Sequence, residues 1–383
     1  MEMLLVSDRG KKYQNYINLI DSVVAGLLNR GVKISLLIGD DYDGKFEDSI
    51  EVIRTHHFDL YSTSYDERRY LEVFDVATEV NPDLIVLIDT PDPQRLYLAM
   101  EYDVRAKQFK YAIYPCLGLG HFIFKPLSGY FFNKLLEMDS FVLALIGSNN
   151  PELDGEFYRQ GNGYSRKAKF IHDLTYISML DNNRYLEVDR AAVRAKMGIS
   201  AQNKVFLYFG TYCYIKGADL LLEASQEFID YSEITFIFAG DMKAASYDLK
   251  LESYNLDNTI IDDRYIDKED VYNYLAVADV VVLPYRYEYN RAGSAMFVLA
   301  PVSHTPLLIS DISPHKETVD KYNLGYTFEC ESVEDLIVKI KSILNSESVE
   351  NEFGFEDYIN SFGTVDELSE LLIRSALLNI SVE

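Results

Sequence analysis

The chain has 383 residues and a formal net charge of −25, which predicts two domains and argues against nucleic acid or anionic lipid as a general partner. Its three cysteines, Cys116, Cys213 and Cys330, are odd in number and far apart, so neither a disulfide framework nor a zinc site is indicated. We therefore expect a cytoplasmic protein, without a secretory signal peptide and without a membrane-spanning segment.

Apolar runs and helical patterns alternate through the first half of the chain. The runs predict strands over residues 3–6, 33–38, 84–88, 110–114, 141–146 and 169–171. A helix is predicted over 65–80, with Ser64 and Glu67 in capping-box spacing and Asn81-Pro82 at its end. This alternation is typical of a parallel sheet with helices on both faces. Polar residues collect over 173–203, where we predict the linker between the domains.

The most informative segment opens the second half. An apolar run over residues 205–209 predicts a buried strand that ends at Gly210. A short loop carries Lys216-Gly217, and apolar residues then recur at helical spacing. Because a helix start offers unpaired N–H groups and partial positive charge, a lysine just before it favours an anion, above all a phosphate. An ordinary strand–loop–helix with a solvated lysine is the alternative.

A second strand-to-helix turn follows. Residues 280–283 predict a strand that Pro284 ends, and a polar loop leads to Gly293-Ser294, where an apolar helix pattern begins. Further strands are predicted over 234–239, 259–261 and 307–309, with helices over 268–276, 333–345 and 365–378. Because parallel strands end at one edge of a sheet, we expect the two turns to face the same ligand.

The order of these motifs resembles the donor-binding domain of GT-B glycosyltransferases, specifically the retaining family 4. Residues 193–198 resemble the helix that leads into that domain. The motif residues that match are Gly210, Lys216-Gly217, Ala239-Gly240-Asp241 and Leu283-Pro284. The resemblance implies an α/β GT-B fold, with two Rossmann-like doubly wound parallel-sheet domains and a cleft between them. Residues 1–175 would form the acceptor domain, 190–363 the donor domain, and 364–383 a helix that packs back on the first domain.

The sequence departs from the family pattern in two places. Thr211 stands where the family has an arginine that contacts the donor diphosphate. The family's Glu-x7-Glu pair falls on Arg291 and Leu299, and the register that starts at Glu288 ends at Met296. Pro284-Tyr285 followed by Ser294-Ala295 resembles a variant loop of some relatives, in which the backbone would contact the diphosphate.

The implied function is transfer of a sugar from a nucleoside-diphosphate donor, such as a UDP-sugar, to a glycan, lipid-linked or other acceptor in polysaccharide or glycolipid biosynthesis. Retention of configuration is implied, and neither a cofactor nor a metal is expected. Catalytic roles are expected for His121, Lys216 and Arg291. Acceptor contacts are expected from Asp8, Arg9 and Gly10. Donor contacts are expected from Gly210, Thr211, Lys216, Gly217, Gly240, Asp241, Tyr265, Ile266, Glu288, Gly293, Ser294 and Ala295.

Alternatives stay open at this point. His121 is either a catalytic participant or a histidine packed in an aromatic loop. The aromatic segment 122–136 is core, a lid or a lipid-facing patch that would give peripheral membrane contact. The whole protein is alternatively a GT-B nucleotide-sugar 2-epimerase, or a non-catalytic subunit that binds a nucleotide sugar or a partner protein.

Overall fold

A computed structural model describes residues 1–7, 14–40, 42, 46, 49–55, 68–88, 93–114, 126–160, 165–172, 188–242, 249–345 and 353–377. Contacts between residues divide the chain into two compact units. Unit 1 comprises Met1–Met179 and Gly363–Glu383, and unit 2 comprises Leu180–Phe362. No helix within the described ranges combines the length and the apolar character that a membrane crossing requires.

Unit 1 is built on a seven-stranded parallel sheet with the order β3-β2-β1-β4-β5-β6-β7. Its strands are β1 Glu2–Ser7, β2 Lys33–Gly39, β3 Glu51–Thr55, β4 Leu84–Ile88, β5 Tyr111–Tyr114, β6 Phe141–Ser148 and β7 Ala168–His172. Its first helices are α1 Gln14–Leu28, α2 Arg68–Val80, α3 Pro93–Tyr102, α4 Pro126–Glu137 and α5 Pro151–Gln160. Alternate side chains of the strands enter two separate cores, so both faces of the sheet are covered.

Unit 2 repeats this architecture with six parallel strands in the order β10-β9-β8-β11-β12-β13. The strands are β8 Lys204–Phe209, β9 Ile234–Gly240, β10 Thr259–Asp263, β11 Val280–Leu283, β12 Leu307–Ser310 and β13 Gly325–Phe328. The helices are α6 Arg190–Lys196, α7 Ala218–Ser225, α8 Lys268–Val277, α9 Ala295–Val302, α10 His315–Tyr322, α11 Val333–Asn345 and α12 Phe355–Ile359. One face of this sheet packs through an aromatic core against α7 and α11.

The two doubly wound parallel sheets confirm the predicted fold class. Two strands were not predicted, β3 and β13, because each is a short edge strand with polar residues and little alternation. Helix α6 lies inside the segment 173–203 predicted as a linker, where the resemblance also implied a helix over residues 193–198, and it packs against α8, so residues 190–196 are not linker. The capping residues Ser64 and Glu67 lie outside the described residues.

The last helix, α13 Val365–Leu377, belongs to unit 1 and packs against α1. Its apolar side enters the core on the α1 side of the sheet, with Leu372 only 1% exposed. The two helices approach so closely that a Cβ on Gly26 would lie 2.5 Å from Oγ of Ser369. Arg30 and Asp366 form an ion pair beside this contact, at 2.9 Å. The carboxyl-terminal helix is therefore an integral part of the unit 1 core.

Leu372→Ala should lower the free energy of unfolding of unit 1 by about 2–5 kcal/mol, because it opens a cavity between α13 and the sheet. The matched control is Leu377→Ala in the same helix, where the side chain is 68% exposed, and a change within about 0.5 kcal/mol is expected. Guanidinium unfolding followed by circular dichroism measures both. Equal losses would show that α13 does not contribute to the core.

Candidate functional site

The candidate site lies where the strand order of the unit 2 sheet reverses. Strand β8 pairs with β9 on one side and with β11 on the other, so the chain leaves β8 and β11 toward opposite ends of the sheet. In open α/β sheets this switch point leaves a crevice at the carboxyl ends of the strands, where ligands bind. The loops that follow β8 and β11 flank it, and these are the two turns that the sequence predicted to face one ligand.

The side chain of Lys216 folds back over the end of β8. A Cβ built on Gly210 would lie 3.3 Å from Nζ of Lys216, so the ammonium group sits directly above this glycine. Lys216 is partly buried, and this burial lowers the pKa of its ammonium group, while nearby Cys213 acts in the opposite direction. No carboxylate or other acceptor among the described residues pairs with Nζ. The structure thus holds a desolvated positive charge ready for an anionic ligand.

Glycines form the floor beneath this ammonium group. Gly210 has a φ of +132° and Gly240, at the end of β9, a φ of +148°. A Cβ on Gly240 would lie 2.0 Å from the carbonyl oxygen of Gly210, so the two strand ends touch through their backbones. Because neither residue carries a side chain, a ligand can approach the backbone closely here.

Gly217 links the lysine to the start of α7. Its φ of +67° places it in the left-handed region, and it forms the N-cap of the helix. A Cβ at this position would lie 1.9 Å from the carbonyl oxygen of Pro284, the residue that ends β11. The loop after β8 therefore rests on the loop after β11, with the first N–H groups of α7 unpaired within the helix.

The second turn is fixed by two tyrosines. The hydroxyl of Tyr285 lies 2.6 Å from Oγ of Ser294, and the hydroxyl of Tyr289 donates to the carbonyl oxygen of Gly293 at 2.7 Å. Ser294 caps α9 by accepting from the N–H of Phe297 at 3.2 Å. Its side chain is 3% exposed and thus fully engaged inside the protein. Gly293 and Ala295 on either side of it are half-buried, and the expected backbone contacts of Gly293, Ser294 and Ala295 to a diphosphate stay predictions.

Arg286 joins the two loops, and the sequence did not single it out. Its guanidinium donates to both carboxylate oxygens of Asp219 in α7, at 2.9 and 2.6 Å, and to the carbonyl oxygen of Tyr214. It also stacks on the ring of Tyr214, 4.0 Å from the ring centroid. Its own N–H donates to the carbonyl oxygen of Ile215 at 2.9 Å. These contacts lie on either side of Lys216 along the chain.

Other predicted donor residues lie around the same edge of the sheet. Thr211 is exposed after β8, and the carbonyl oxygen of Asp241 accepts weakly from the N–H of Tyr212, at 3.4 Å. Tyr265, beyond β10, is 65% exposed, whereas its neighbour Ile266 is only 8% exposed and faces the interior. The exposed surface at this position is therefore that of the tyrosine.

The remaining predicted residues of the second loop point outward or toward β12. Glu288 is exposed in the turn Tyr287–Tyr289. Arg291 has a φ of +60°, and both its N–H and its guanidinium donate to Ser313, at 2.8 and 3.2 Å. Met296 and Leu299, which stand at positions of the Glu-x7-Glu pair, are buried apolar residues of α9. Thus α9 itself brings no carboxylate to the site.

His121, Asp8, Arg9 and Gly10 lie outside the described residues, so their expected catalytic and acceptor roles stay predictions. Within the described ranges, no group of three or more histidine, cysteine, aspartate or glutamate side chains is arranged to hold a metal ion.

Gly217→Ala should destabilise unit 2 more than Gly198→Ala does. Both glycines have nearly the same φ, +67° and +72°, but only Gly217 lacks space for a Cβ. The change at Gly198 should cost about 1 kcal/mol for the backbone conformation alone, and the clash with Pro284 should add about 1–3 kcal/mol. Chemical unfolding of the two variants measures the difference. Equal losses would contradict the tight contact between the loops.

Comparisons with known proteins bear on the fold and on unit 2. Residues 189–357 match the family model described as glycosyl transferases group 1. No curated protein matches the chain by sequence.

Solved structures match over nearly the whole chain. Sucrose-phosphate synthase from Thermosynechococcus elongatus is 15% identical with a TM-score of 0.70, and the match covers 98% of each chain. The catalytic domain of starch synthase IV from Arabidopsis thaliana, bound to ADP and acarbose, is 12% identical with a TM-score of 0.64, covering 98% of this chain and 99% of that one. A UDP-GlcNAc 2-epimerase from Neisseria meningitidis, bound to UDP-GlcNAc, is 13% identical with a TM-score of 0.59, covering 98% and 100%.

At these identities the structural matches establish the fold, and the family match over unit 2 adds the activity. The chain is a glycosyltransferase with the GT-B fold, and its residues 189–357 match the family model of glycosyl transferases group 1.

Proposed function

We propose that unit 2 binds the diphosphate of a nucleotide-sugar donor between the loops after β8 and β11, and that the enzyme transfers the sugar to a glycan or lipid-linked acceptor. The observation that carries this proposal is the ammonium group of Lys216. It lies over Gly210, partly desolvated, and has no carboxylate partner among the described residues. A buried charge without a counter-ion is costly, and an anionic ligand would supply the missing partner.

The same geometry fits the chemistry of glycosyl transfer. As the bond between the sugar carbon and the diphosphate breaks, negative charge builds on the departing phosphate oxygens. The Lys216 ammonium and the backbone N–H groups of Ser294 and Ala295 would stabilise that charge. Donors that are fixed in place before the reaction and shielded from water are the most effective at this. Lys216 is both partly buried and held by the αL turn at Gly217.

The other donor contacts are assigned by position. Gly240 and Thr211 flank the lysine at the ends of neighbouring strands, and the exposed ring of Tyr265 offers a stacking surface for the nucleotide base. Arg291 would add positive charge on the β12 side of the loop. His121 would act at the sugar carbon, and residues 8–10 would contact the acceptor.

Retention of configuration at the transferred carbon is part of the proposal, and the cytoplasm is its proposed location. The Glu-x7-Glu positions carry Arg291 and Leu299, so the stereochemical outcome depends on other groups of the site. Nuclear magnetic resonance of the product, which distinguishes the two anomers, decides the configuration.

An epimerase is the second candidate, because a UDP-GlcNAc 2-epimerase shares the fold over the length of the chain. Incubation with UDP-GlcNAc and no acceptor separates the two activities. Formation of a 2-epimer would favour the epimerase, whereas transfer that requires an added acceptor favours the glycosyltransferase.

Lys216→Met should weaken binding of nucleoside diphosphates by roughly 1.5–3 kcal/mol, because a charge-assisted contact to phosphate is lost. That corresponds to an increase of about 10- to 150-fold in Kd, which calorimetric titration with UDP, GDP and ADP measures. Lys204→Met is the control, since Lys204 begins β8 at the opposite edge of the same sheet, and its Kd should stay at the wild-type value. Unchanged affinity in folded Lys216→Met would remove this lysine from the site.

The affinity for nucleoside diphosphates should also fall with rising pH, and the decline should begin at a lower pH than it would for a lysine with an ordinary pKa. Only the protonated form of Lys216 attracts phosphate, and burial lowers its pKa in the free protein. Affinity is therefore complete below this lowered pKa and is lost as the pH rises through it. The diphosphate itself is fully ionised above about pH 7.5, since its last pKa is near 6. Titrations between about pH 7.5 and 10 should show the decline in wild type and a flat profile in Lys216→Met; parallel profiles would contradict the assignment.

A further inference from the structure

Arg286 lies in the loop after β11, but it contacts the loop after β8 and helix α7 at several points. It contacts Tyr214 and Ile215 just before Lys216 and Asp219 just after it. The guanidinium engages the carboxylate through two hydrogen bonds, an arrangement that fixes both position and orientation. The side chain of Arg286 is 7% exposed, and that of Asp219 is 25% exposed.

Asp219 is a negatively charged residue in the helix that follows the lysine of the proposed phosphate site. It lies in the first turn of α7, where a carboxylate stabilises the helix dipole. It stands three residues after Lys216 along the chain, so a carboxylate released from Arg286 would be free to turn toward the ammonium group, attract it and repel a diphosphate. Arg286 removes both effects because it occupies both oxygens of the carboxylate.

We propose that Arg286 is a positioning residue: by holding Asp219 in a two-bond pair, it keeps this carboxylate away from Lys216, so that the lysine stays available for the phosphate of the ligand. This role rests on the proposed function. It accounts for an otherwise unexplained combination, a lysine that has no counter-ion among the described residues and an aspartate three residues further along the chain. Arg286 itself does not touch the ligand in this account.

A structural arginine in the same unit offers a matched comparison. Arg194 of α6 is also 7% exposed and pairs with Asp279 at 2.7 Å, and it donates to the carbonyl oxygen of Val277 as well. Asp279 precedes β11, so this pair lies at the amino-terminal edge of the sheet, opposite the candidate site. Loss of Arg194 should lower stability without changing the affinity for a ligand at the other edge.

The test compares the Kd of wild type, Arg286→Met, Asp219→Asn, the double variant and Arg194→Met. The probe is whichever of UDP, GDP and ADP binds wild type most tightly. Arg286→Met should raise Kd about tenfold or more, because it leaves the Asp219 carboxylate unpaired and free to turn toward Lys216. Adding Asp219→Asn should return Kd to within about threefold of wild type, a non-additive result that marks direct coupling. Asp219→Asn alone and Arg194→Met should each stay within about threefold, although Arg194→Met unfolds at lower denaturant concentration.

A double variant that binds as weakly as Arg286→Met would overturn the role, since the role requires that removal of the carboxylate restores the affinity. Wild-type affinity in Arg286→Met would overturn it as well. If Arg286→Met lacks a cooperative unfolding transition, Arg286→Gln with and without Asp219→Asn gives the same comparison. Wild type that binds none of the three nucleotides would remove the proposed function and this role with it, whereas binding by wild type without rescue removes only the role.

Discussion

A partly buried ammonium group, which no carboxylate in the described part of the chain pairs with, is the feature on which the candidate site depends. Burial lowers the pKa of the Lys216 ammonium group, because desolvation disfavours its charged form. The same desolvation strengthens its attraction for an anion, because the competing water has been removed. The desolvation that disfavours the charged lysine in the free protein is thus the same effect that would strengthen its binding to the diphosphate.

Close backbone contacts make this arrangement rigid. Gly240 lies against Gly210 and Gly217 lies against Pro284, so three neighbouring strand ends meet without intervening side chains. Tyr285 is buried, and its hydroxyl connects the end of β11 to the N-cap of α9 at Ser294. The backbone groups and the lysine are therefore positioned before any ligand arrives, which lowers the entropy lost on binding.

Local patterns were sufficient to predict most of the fold. The buried strands β4, β8 and β11 are short apolar runs with clear endings, at Gly210 after β8 and at Pro284 after β11. The edge strands β3 and β13 escaped because they are polar and short, and half-exposed edges impose little pattern on a sequence. Helix α6 was taken partly as linker because it has only seven residues among polar neighbours.

The candidate site was predictable only as far as its contacts are local. A position between a predicted strand and a predicted helix is visible in the sequence, and this is how Lys216, Gly217 and the Gly293-Ser294 turn were identified. The pair between Arg286 and Asp219 spans 67 residues, and nothing in a single sequence connects two charged residues so far apart. The burial of Ile266 beside the exposed Tyr265 likewise depends on tertiary packing that neither residue reveals alone.

A crystal structure of the protein with the nucleoside diphosphate that it binds most tightly would test directly whether Lys216 binds the diphosphate. We expect a phosphate oxygen within about 3 Å of Nζ of Lys216. Further phosphate oxygens should accept from backbone N–H groups of the turn at Ser294 and Ala295. The pair between Arg286 and Asp219 should be intact in that complex. A diphosphate bound elsewhere, with no contact to the ammonium group of Lys216, would show that this lysine is not part of the donor site.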